Sequence, residues 1–166
     1  MCGIIGLVEY ENLISKNELK EMTETLVHRG PNDFGTEIYN KSNFSVGFGQ
    51  TRLSIIDITS AGHQPMTYEH LSIVFNGEFY NYKEVRKELI SLGHSFVSNS
   101  DTEVVLHSFL EWGKKCVSRF IGMFAFAILD KSDKKIYLFK DRAGVKPLYY
   151  YFKNNVFMFS SELKAF

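Results

Sequence analysis

Short apolar runs at the beginning and in the last third of the chain predict buried strands. Residues 2–8 form an almost unbroken apolar run, which is typical of a strand covered on both faces. In residues 123–130 ("MFAFAILD") both sets of alternating positions are apolar. One set is Met123, Ala125, Ala127 and Leu129, and the other is Phe124, Phe126 and Ile128. A sheet that contains such strands needs a covering layer on each face.

The other strand patterns are bounded by turn signals. Residues 35–56 predict a hairpin that turns at residues 41–43. Residues 71–75 predict a strand that runs into the pair Asn76-Gly77, which strongly favours a turn. Three further strands are predicted near the end of the chain, at residues 135–141, 147–152 and 156–160.

Three segments predict helices, and each begins with a capping box, an N-cap residue followed three positions later by glutamate. The pairs are Ser15–Glu18, Asn81–Glu84 and Ser100–Glu103. The first helix has an apolar stripe of Leu19, Met22, Leu26 and Val27. Gly30-Pro31 ends this helix, and the other two end near residues 92–93 and at Gly113.

These elements together predict an α+β fold. A second sheet on one face of the buried strands and helices on the other face would give a four-layer αββα sandwich of two mostly antiparallel sheets. The sequence has no internal repeat, low-complexity tract or linker. We therefore expect one domain over residues 1–166.

Composition and charge narrow the classes of function. Of the 166 residues, 45% are hydrophobic and 15% aromatic, as in a packed globular protein. The 19 Lys and Arg residues balance 19 Asp and Glu residues, so no net charge favours nucleic acid or an anionic membrane. No apolar stretch approaches the ~20 residues of a spanning helix, and two cysteines are too few for a disulfide framework. We expect a cytoplasmic protein with reduced thiols and with no nucleic-acid or membrane partner.

Cys2 follows the initiator methionine directly, so its thiol would belong to the amino-terminal residue once Met1 is removed. A cysteine attacks as thiolate, and its free pKa near ~8.5 leaves it mostly protonated at neutral pH. An α-amino group, with a pKa of ~7.7–8.0, is a suitable base for the thiol proton. Cys2 would therefore carry its own base, and we expect the mature chain to start at this residue.

Other interpretations of the cysteines remain open from position alone. Cys2 is equally compatible with a small apolar residue at the start of a strand. A lipid-modified cysteine would need a preceding signal peptide, which the sequence lacks, and N-terminal myristoylation requires glycine. Cys116 has no obvious partner in its neighbourhood, and we expect it to pack in the core.

Three other stretches supply polar groups that would suit a free amino acid. Arg52 ends an apolar strand and would clamp a carboxylate if buried, although alone it also fits a surface residue. Asn76 and Gly77 would form an oxyanion hole, or else the hairpin turn mentioned above. Asp101 lies in the first turn of a helix, where the dipole alone favours an acid. With Glu78, Asp101 would receive an α-ammonium group.

The loop "HRGPNDFG" adds His28 and Arg29, which equally fit a helix C-terminal cap. With this loop included, the chain resembles the glutamine amidotransferase domain of class II, the N-terminal nucleophile kind, along its whole length. Within that class it is most similar to the N-terminal half of glutamine-hydrolysing asparagine synthetases. The matching stretches are "MCGI", "HRGPND", "RLSIID", "GHQPM", "NGEFYNY", "SDTEV", "GMFAFAILD", "DRAGVKPLYY" and "SSELKA".

The resemblance implies a role for each matching residue. Cys2 would be the nucleophile and its freed amine the base, Asn76 and Gly77 would form the oxyanion hole, and Arg52 would bind the glutamine α-carboxylate. The two acidic residues, Glu78 and Asp101, would bind the α-amino group of glutamine. No metal or cofactor is implied for this domain. One departure is Gln50, where the family often has histidine, which makes the local packing of the hairpin less certain.

The resemblance also implies a synthetase domain that activates aspartate with ATP and Mg²⁺ and receives ammonia. Its "SGGxDS" loop is absent from this sequence, as is GxxxxGK[ST]. We therefore expect either one half of an asparagine synthetase or a separately encoded glutaminase subunit. Two alternatives stay open: an amidotransferase that serves a sugar or peptide acid, and a glutamine-binding sensor without catalysis.

Overall fold

The computed structural model describes residues 1–10 and 12–166. The strands in this part of the chain are β1 (Gly3–Tyr10), β2 (Asp33–Lys41), β3 (Phe44–Arg52), β4 (Met66–Tyr68), β5 (Leu71–Phe79), β6 (Gly122–Asp130), β7 (Lys135–Lys140), β8 (Tyr149–Lys153) and β9 (Val156–Ser160). The α-helices are α1 (Lys16–Glu24), α2 (Tyr82–Ser91) and α3 (Asp101–Trp112). Short 3₁₀ turns lie at Val27–Arg29, Ser60–Gly62, Gly113–Arg119 and Leu163–Ala165.

The strands form two antiparallel sheets. One has the order β2-β3-β1-β9-β8, and the other has the order β4-β5-β6-β7. The predicted hairpin is confirmed as β2 and β3, whose pairing begins at Lys41 opposite Phe44, next to the turn. The amino-terminal run is confirmed as β1, which pairs with β3 on one side and β9 on the other. Its central place in the sheet explains why the run is apolar at successive positions.

The two sheets pack face to face, and helices cover their outer faces. The core between the sheets includes Ile4, Val8, Val46, Phe48, Val74, Ala127, Leu129 and Phe159. On the other face of β6, Phe124, Phe126 and Ile128 pack against α2 and α3. On the outer face of the first sheet, Leu7 of β1 packs against Leu19 of α1. The four-layer αββα sandwich is therefore confirmed.

The predicted turn at Asn76-Gly77 is wrong. Strand β5 continues through both residues, with Asn76 opposite Ala125 and Gly77 opposite Phe124 of β6. Because β6 supplies ladder partners along the whole of β5, tertiary pairing overrides the local turn preference. A Cβ at Gly77 would collide with the backbone of Met123, so close approach of the two strands accounts for glycine here.

The first helix is shorter than its apolar stripe predicts. Helix α1 ends at Glu24, and the chain then tightens into the 3₁₀ turn Val27–Arg29. Leu26 is fully buried, as expected, but Val27 is 42% exposed. The change in helical pitch moves Val27 off the buried face, so its assignment to the stripe was wrong.

Only part of the capping prediction is correct. Neither Ser15 nor Asn81 caps its helix through its side chain. The side chain of Asn81 instead accepts from the Ile121 N–H and donates to the Arg119 carbonyl, so tertiary contacts replace the helix cap. Ser100 does cap α3, since its hydroxyl accepts from the Thr102 N–H. Its expected partner Glu103 binds the preceding loop instead of the Ser100 N–H.

The ends of the second and third helices agree with the sequence. Helix α2 is followed by Leu92 and by Gly93 at a φ of 99°, and α3 is followed by Gly113 at a φ of 56°. Both glycines adopt the left-handed conformation that L side chains avoid. Within the described residues, none of the helices has the length and apolar character needed to cross a membrane.

Candidate active site

One cavity of about 420 Å³ lies at the end of the two sheets where β1 begins and β3 ends. The candidate site residues all line it: Cys2, Arg52, Asn76, Gly77, Glu78 and Asp101. They come from both sheets and from the start of α3, and they span 100 positions of sequence. The fold therefore brings together the six residues to which a role in the site was assigned, whereas His28 and Arg29 of the loop "HRGPNDFG" are not among the residues that line the cavity.

Cys2 lies just before β1, with its thiol on the cavity wall. The Leu53 N–H donates to Sγ at 3.4 Å, and Sγ lies 3.8 Å from the Leu53 carbonyl oxygen. Burial raises the pKa of the thiol, while the Leu53 hydrogen bond and the charge of Arg52 act in the opposite direction. An unmodified thiol at this place is thus mostly protonated near pH 7 and needs a base before it can attack.

Arg29 fixes the main chain of the nucleophile, a role that sequence reasoning missed. Its Nε donates to the Cys2 carbonyl at 2.9 Å, and its Nη1 donates to Glu162 at 2.7 Å. The hydrogen bond from Arg29, with a further one from His28, lowers the pKa of Glu162 to about 2. The loop "HRGPND" was the only sequence signal for this contact, and it did not distinguish it from a helix cap.

Arg52 is 6% exposed, so the interpretation as a surface residue is wrong. Its guanidinium donates to the carbonyls of Asp57 and, at 3.2 Å, Thr59. The Asp57 carboxylate in turn accepts from the backbone N–H and hydroxyl of Thr59 and from the Asn99 N–H. This network holds the guanidinium at the cavity and ties it to the segment that follows β3.

Asn76 is 1% exposed, yet within residues 1–10 and 12–166 neither its Nδ2 nor its Oδ1 has a hydrogen-bond partner. An unsatisfied buried polar group costs roughly 1–3 kcal/mol. Its neighbour Phe75 is fully engaged by comparison, since its N–H donates to Gln64 at 2.7 Å and its carbonyl accepts from Gln50 at 3.4 Å. The amide of Asn76 is therefore free to bind a group that enters the cavity.

Two carboxylates complete the cavity. Asp101 is the first residue of α3, and it accepts from the Phe79 N–H at 3.1 Å. Burial raises the pKa of this carboxyl to about 6, and the nearby charge of Glu78 acts in the same direction. Arg52, Glu78 and Asp101 together complement the zwitterionic end of a free amino acid. Asp57 and Lys146 also line the cavity.

Lys146 also lines the cavity and was not among the predicted site residues. It is 3% exposed and is the last residue of the segment "DRAGVK". The motif "DRAGVKPLYY" contains it, but neither periodicity nor spacing pointed to a position beside Cys2.

Comparison with known proteins agrees with this geometry. Residues 1–166 match the family model described as a glutamine amidotransferase domain. The chain is 42% identical to asparagine synthetase (glutamine-hydrolyzing) 3 and 41% identical to asparagine synthetase (glutamine-hydrolyzing) 1, both of Bacillus subtilis. Each alignment covers 99% of this chain but only 27% and 26% of those proteins, so the chain spans about a quarter of their length.

The fold has its own parallel among solved structures. Glutamine phosphoribosylpyrophosphate amidotransferase of B. subtilis, in complex with ADP and GMP, superimposes with a TM-score of 0.74 at 20% identity. The match covers 99% of this chain and 42% of that one, and it supports the αββα architecture. The resemblance inferred from the sequence motifs is thus confirmed, and the chain belongs to the glutamine amidotransferase domain family.

Proposed function

We propose that this chain hydrolyses glutamine to glutamate and ammonia through a thioester on Cys2. The observation that carries the proposal is the buried amide of Asn76, which has no hydrogen-bond partner among the described residues and lines the same cavity as Cys2. A fold keeps such an amide without a partner at a cost in stability, and a developing oxyanion would remove that cost.

The charged side chains of the cavity would bind the amino-acid end of glutamine. Arg52 binds the α-carboxylate of glutamine, and Glu78 with Asp101 binds its α-ammonium group. These contacts direct the side-chain amide of glutamine towards Cys2. Because the head group is held in the same way before and during reaction, these residues serve mainly affinity.

The chemistry begins when the α-amino group of Cys2 takes the thiol proton. The thiolate attacks the side-chain carbonyl carbon, and the Asn76 Nδ2 and Gly77 N–H stabilise the resulting oxyanion. The amine returns the proton to the departing nitrogen, and ammonia leaves a thioester. Water then attacks the thioester, which releases glutamate and restores the thiol.

This sequence of steps requires a free amine at Cys2, whereas Met1 still occupies that nitrogen in the structure. We therefore propose that Met1 is removed before the chain is active. Intact-mass measurement of the purified protein tests this step. A chain that retains Met1 and hydrolyses glutamine at the full rate would contradict it.

We further propose that the ammonia passes to aspartate activated in a synthetase domain or subunit, as the names of the relatives suggest. ATP and Mg²⁺ would act there, and the glutaminase site would need no cofactor. A cytoplasmic location is part of this proposal, because glutamine, ATP and reduced thiols occur together there.

The test measures ammonia and asparagine in the same sample, with and without ATP, Mg²⁺ and aspartate, and with Cys2→Ala as control. We expect ammonia release that does not depend on these additions and is lost in Cys2→Ala. Asparagine formed by the 166-residue chain alone would contradict the proposal that a separate synthetase domain or subunit is needed to form it. Tight glutamine binding without ammonia would instead indicate a sensor.

A further inference from the structure

Lys146 is held rigidly at the cavity by the turn before it. The Asp141 carboxylate accepts from the backbone N–H groups of Val145 at 2.9 Å, Lys146 at 3.0 Å and Phe124 at 3.2 Å. The last of these bonds ties the turn to β6. The backbone of Lys146 is therefore fixed, and only its side chain can adjust.

The ammonium group of Lys146 is buried without an anionic partner. The residue is 3% exposed, and over residues 1–10 and 12–166 its Nζ makes no ion pair. Its hydrogen-bond partner in that part of the chain is the thioether sulfur of Met1, at 3.0 Å. A thioether is a weak acceptor, and a buried charge without strong partners is costly to keep. A purely structural role would not explain a lysine at this place.

We propose that Lys146 is a positioning residue for the nucleophile: after Met1 is removed, its ammonium group lies beside the freed amine of Cys2 and keeps that amine in its basic form. This inference rests on the proposed function. The length of the Met1 side chain places Nζ within about 9 Å of the Cys2 nitrogen. Loss of Met1 also removes the only hydrogen bond that the ammonium group makes in the described chain.

The other charges at the cavity make such a cation useful. The charged groups that face the amino terminus are Arg52, Asp57, Glu78, Asp101 and Lys146, with Arg29 at the Cys2 carbonyl. The two cavity carboxylates of β5 and α3 would favour a protonated amine. When glutamine binds, its α-ammonium group pairs with those carboxylates and its α-carboxylate pairs with Arg52. Lys146 then remains as the cation without a counter-ion. It disfavours the charged form of the amine and favours the thiolate.

The effect of the Lys146 charge on the pKa values of the Cys2 amine and thiol has a definite direction. Removing the Lys146 charge raises the pKa of both the amine and the thiol, because a nearby cation no longer opposes the ammonium or stabilises the thiolate. At a separation of several ångströms and an intermediate dielectric, the expected shift is about one pH unit. The acidic limb of the pH–rate profile should move to higher pH by that amount.

The experiment compares Lys146→Met, Lys146→Arg and the control Lys153→Met, which changes an exposed residue of β8. The readouts are kcat/KM for glutamine and the rate of Cys2 alkylation by iodoacetamide, located by mass spectrometry, from pH 5 to 10. We expect the acidic limb of the pH–rate profile to move to higher pH in Lys146→Met. It should return to its original position in Lys146→Arg and be unchanged in Lys153→Met. Thermal stability of Lys146→Met should be equal to or above that of the unmodified chain, since a buried charge has been removed.

Two results would overturn the proposal. The first is a folded Lys146→Met protein in which the pH dependence of kcat/KM and that of the alkylation rate are both unchanged. The second is a Lys146→Met protein with lower activity and lower thermal stability but the same pH dependences, because that result would show that Lys146 has only a structural role. If neutral variants do not fold, alkylation of the unmodified processed chain decides: a thiol midpoint at or above the free value of ~8.5 contradicts the proposal. Alkylation does not require turnover, so this test remains valid if glutamine hydrolysis itself is absent.

Discussion

Cys2 and Cys116 carry the same thiol in two very different regions. Cys116 is fully buried in the apolar core between the second sheet and its helices, and burial raises the pKa of its thiol to about 12. Cys2 is half-buried at a polar cavity, where the Leu53 N–H and the Arg52 charge oppose the effect of burial. Burial by itself makes a thiol inert, and the surrounding polar groups decide whether it can react.

The two regions also differ in the charged groups that they contain. The core around Cys116 consists mainly of aromatic and aliphatic side chains, although His107 Nε2 and Ser108 Oγ of the adjoining helix α3 are buried there without a partner among the described residues. The cavity around Cys2 contains the buried ammonium of Lys146, the buried carboxyl of Asp101 and the buried amide of Asn76, which has no hydrogen-bond partner among the described residues. Burial of each of these groups costs stability. Such costs are typical of functional sites, which sacrifice stability for binding or catalysis.

The largest expected effect separates the two cysteines directly. Cys2→Ala should lower glutaminase kcat by roughly 10⁴-fold or more, because it removes the thiol that we propose forms the thioester. Cys116→Ala should leave kcat unchanged and lower the free energy of unfolding by about 1–2 kcal/mol through loss of core packing. Steady-state kinetics and denaturant unfolding of both variants check this. Labelling of Cys116 by an electrophilic glutamine analogue would reverse the assignment.

Asn76→Ala tests whether the unpaired amide serves the transition state. It should lower kcat by ~10²–10³-fold with little change in stability, since this amide makes no hydrogen bond to the described residues that the substitution could remove. The matched control is Asn81→Ala, which removes two hydrogen bonds outside the cavity. That variant should lose about 1–2 kcal/mol of stability and keep its kcat. A large stability loss in Asn76→Ala would contradict the oxyanion role.

Arg52→Lys tests the binding part of the cavity. Lysine keeps the charge but cannot reproduce the fork of the guanidinium, so KM for glutamine should rise about 10–100-fold with a smaller change in kcat. Arg119→Lys, at an exposed ion pair with Glu88, should leave both constants unchanged. If kcat falls in Arg52→Lys while KM stays constant, the binding and oxyanion positions have been exchanged.

The smallest effect concerns Asp101, whose pKa is raised from 3.8 to about 6. The folded state holds its proton more tightly than the unfolded state, so this carboxyl favours folding below pH ~4 and loses that contribution as the pH rises through 6. Asp101→Asn cannot ionise. Relative to the unmodified chain, its free energy of unfolding should increase between pH 4 and 6 and level off at a gain on the order of 1–3 kcal/mol.

Urea unfolding of both proteins from pH 4 to 8, without glutamine, measures this difference. The same variant should bind glutamine weakly at pH 7, because a neutral amide replaces the carboxylate that we propose pairs with the substrate ammonium. A constant stability difference across the pH range would show that Asp101 ionises normally in the folded chain.

Much of the architecture was predictable because periodicity records which faces of an element are buried. The doubly apolar strands β1 and β6 required layers on both sides, and the hairpin of β2 and β3 was visible in its turn. The candidate residues of the site were predictable for another reason. Short motifs such as "NGEFYNY" and "SDTEV" carry the chemical groups themselves, so the list of groups could be read without knowing their arrangement.

The arrangement itself was decided by the tertiary structure. Leu53 and Cys2 are 51 positions apart and Lys146 and Met1 are 145 apart, and no local pattern encodes such contacts. Pairing with β6 kept Asn76 in a strand, although its local sequence favoured a turn. The hydrogen-bond partners, the burial and the charges around each group depend on packing between distant segments. The sequence alone therefore indicated most of the polar groups that line the cavity, but not Lys146, whereas the folded chain determined which of them are unpaired, ionised or free to react.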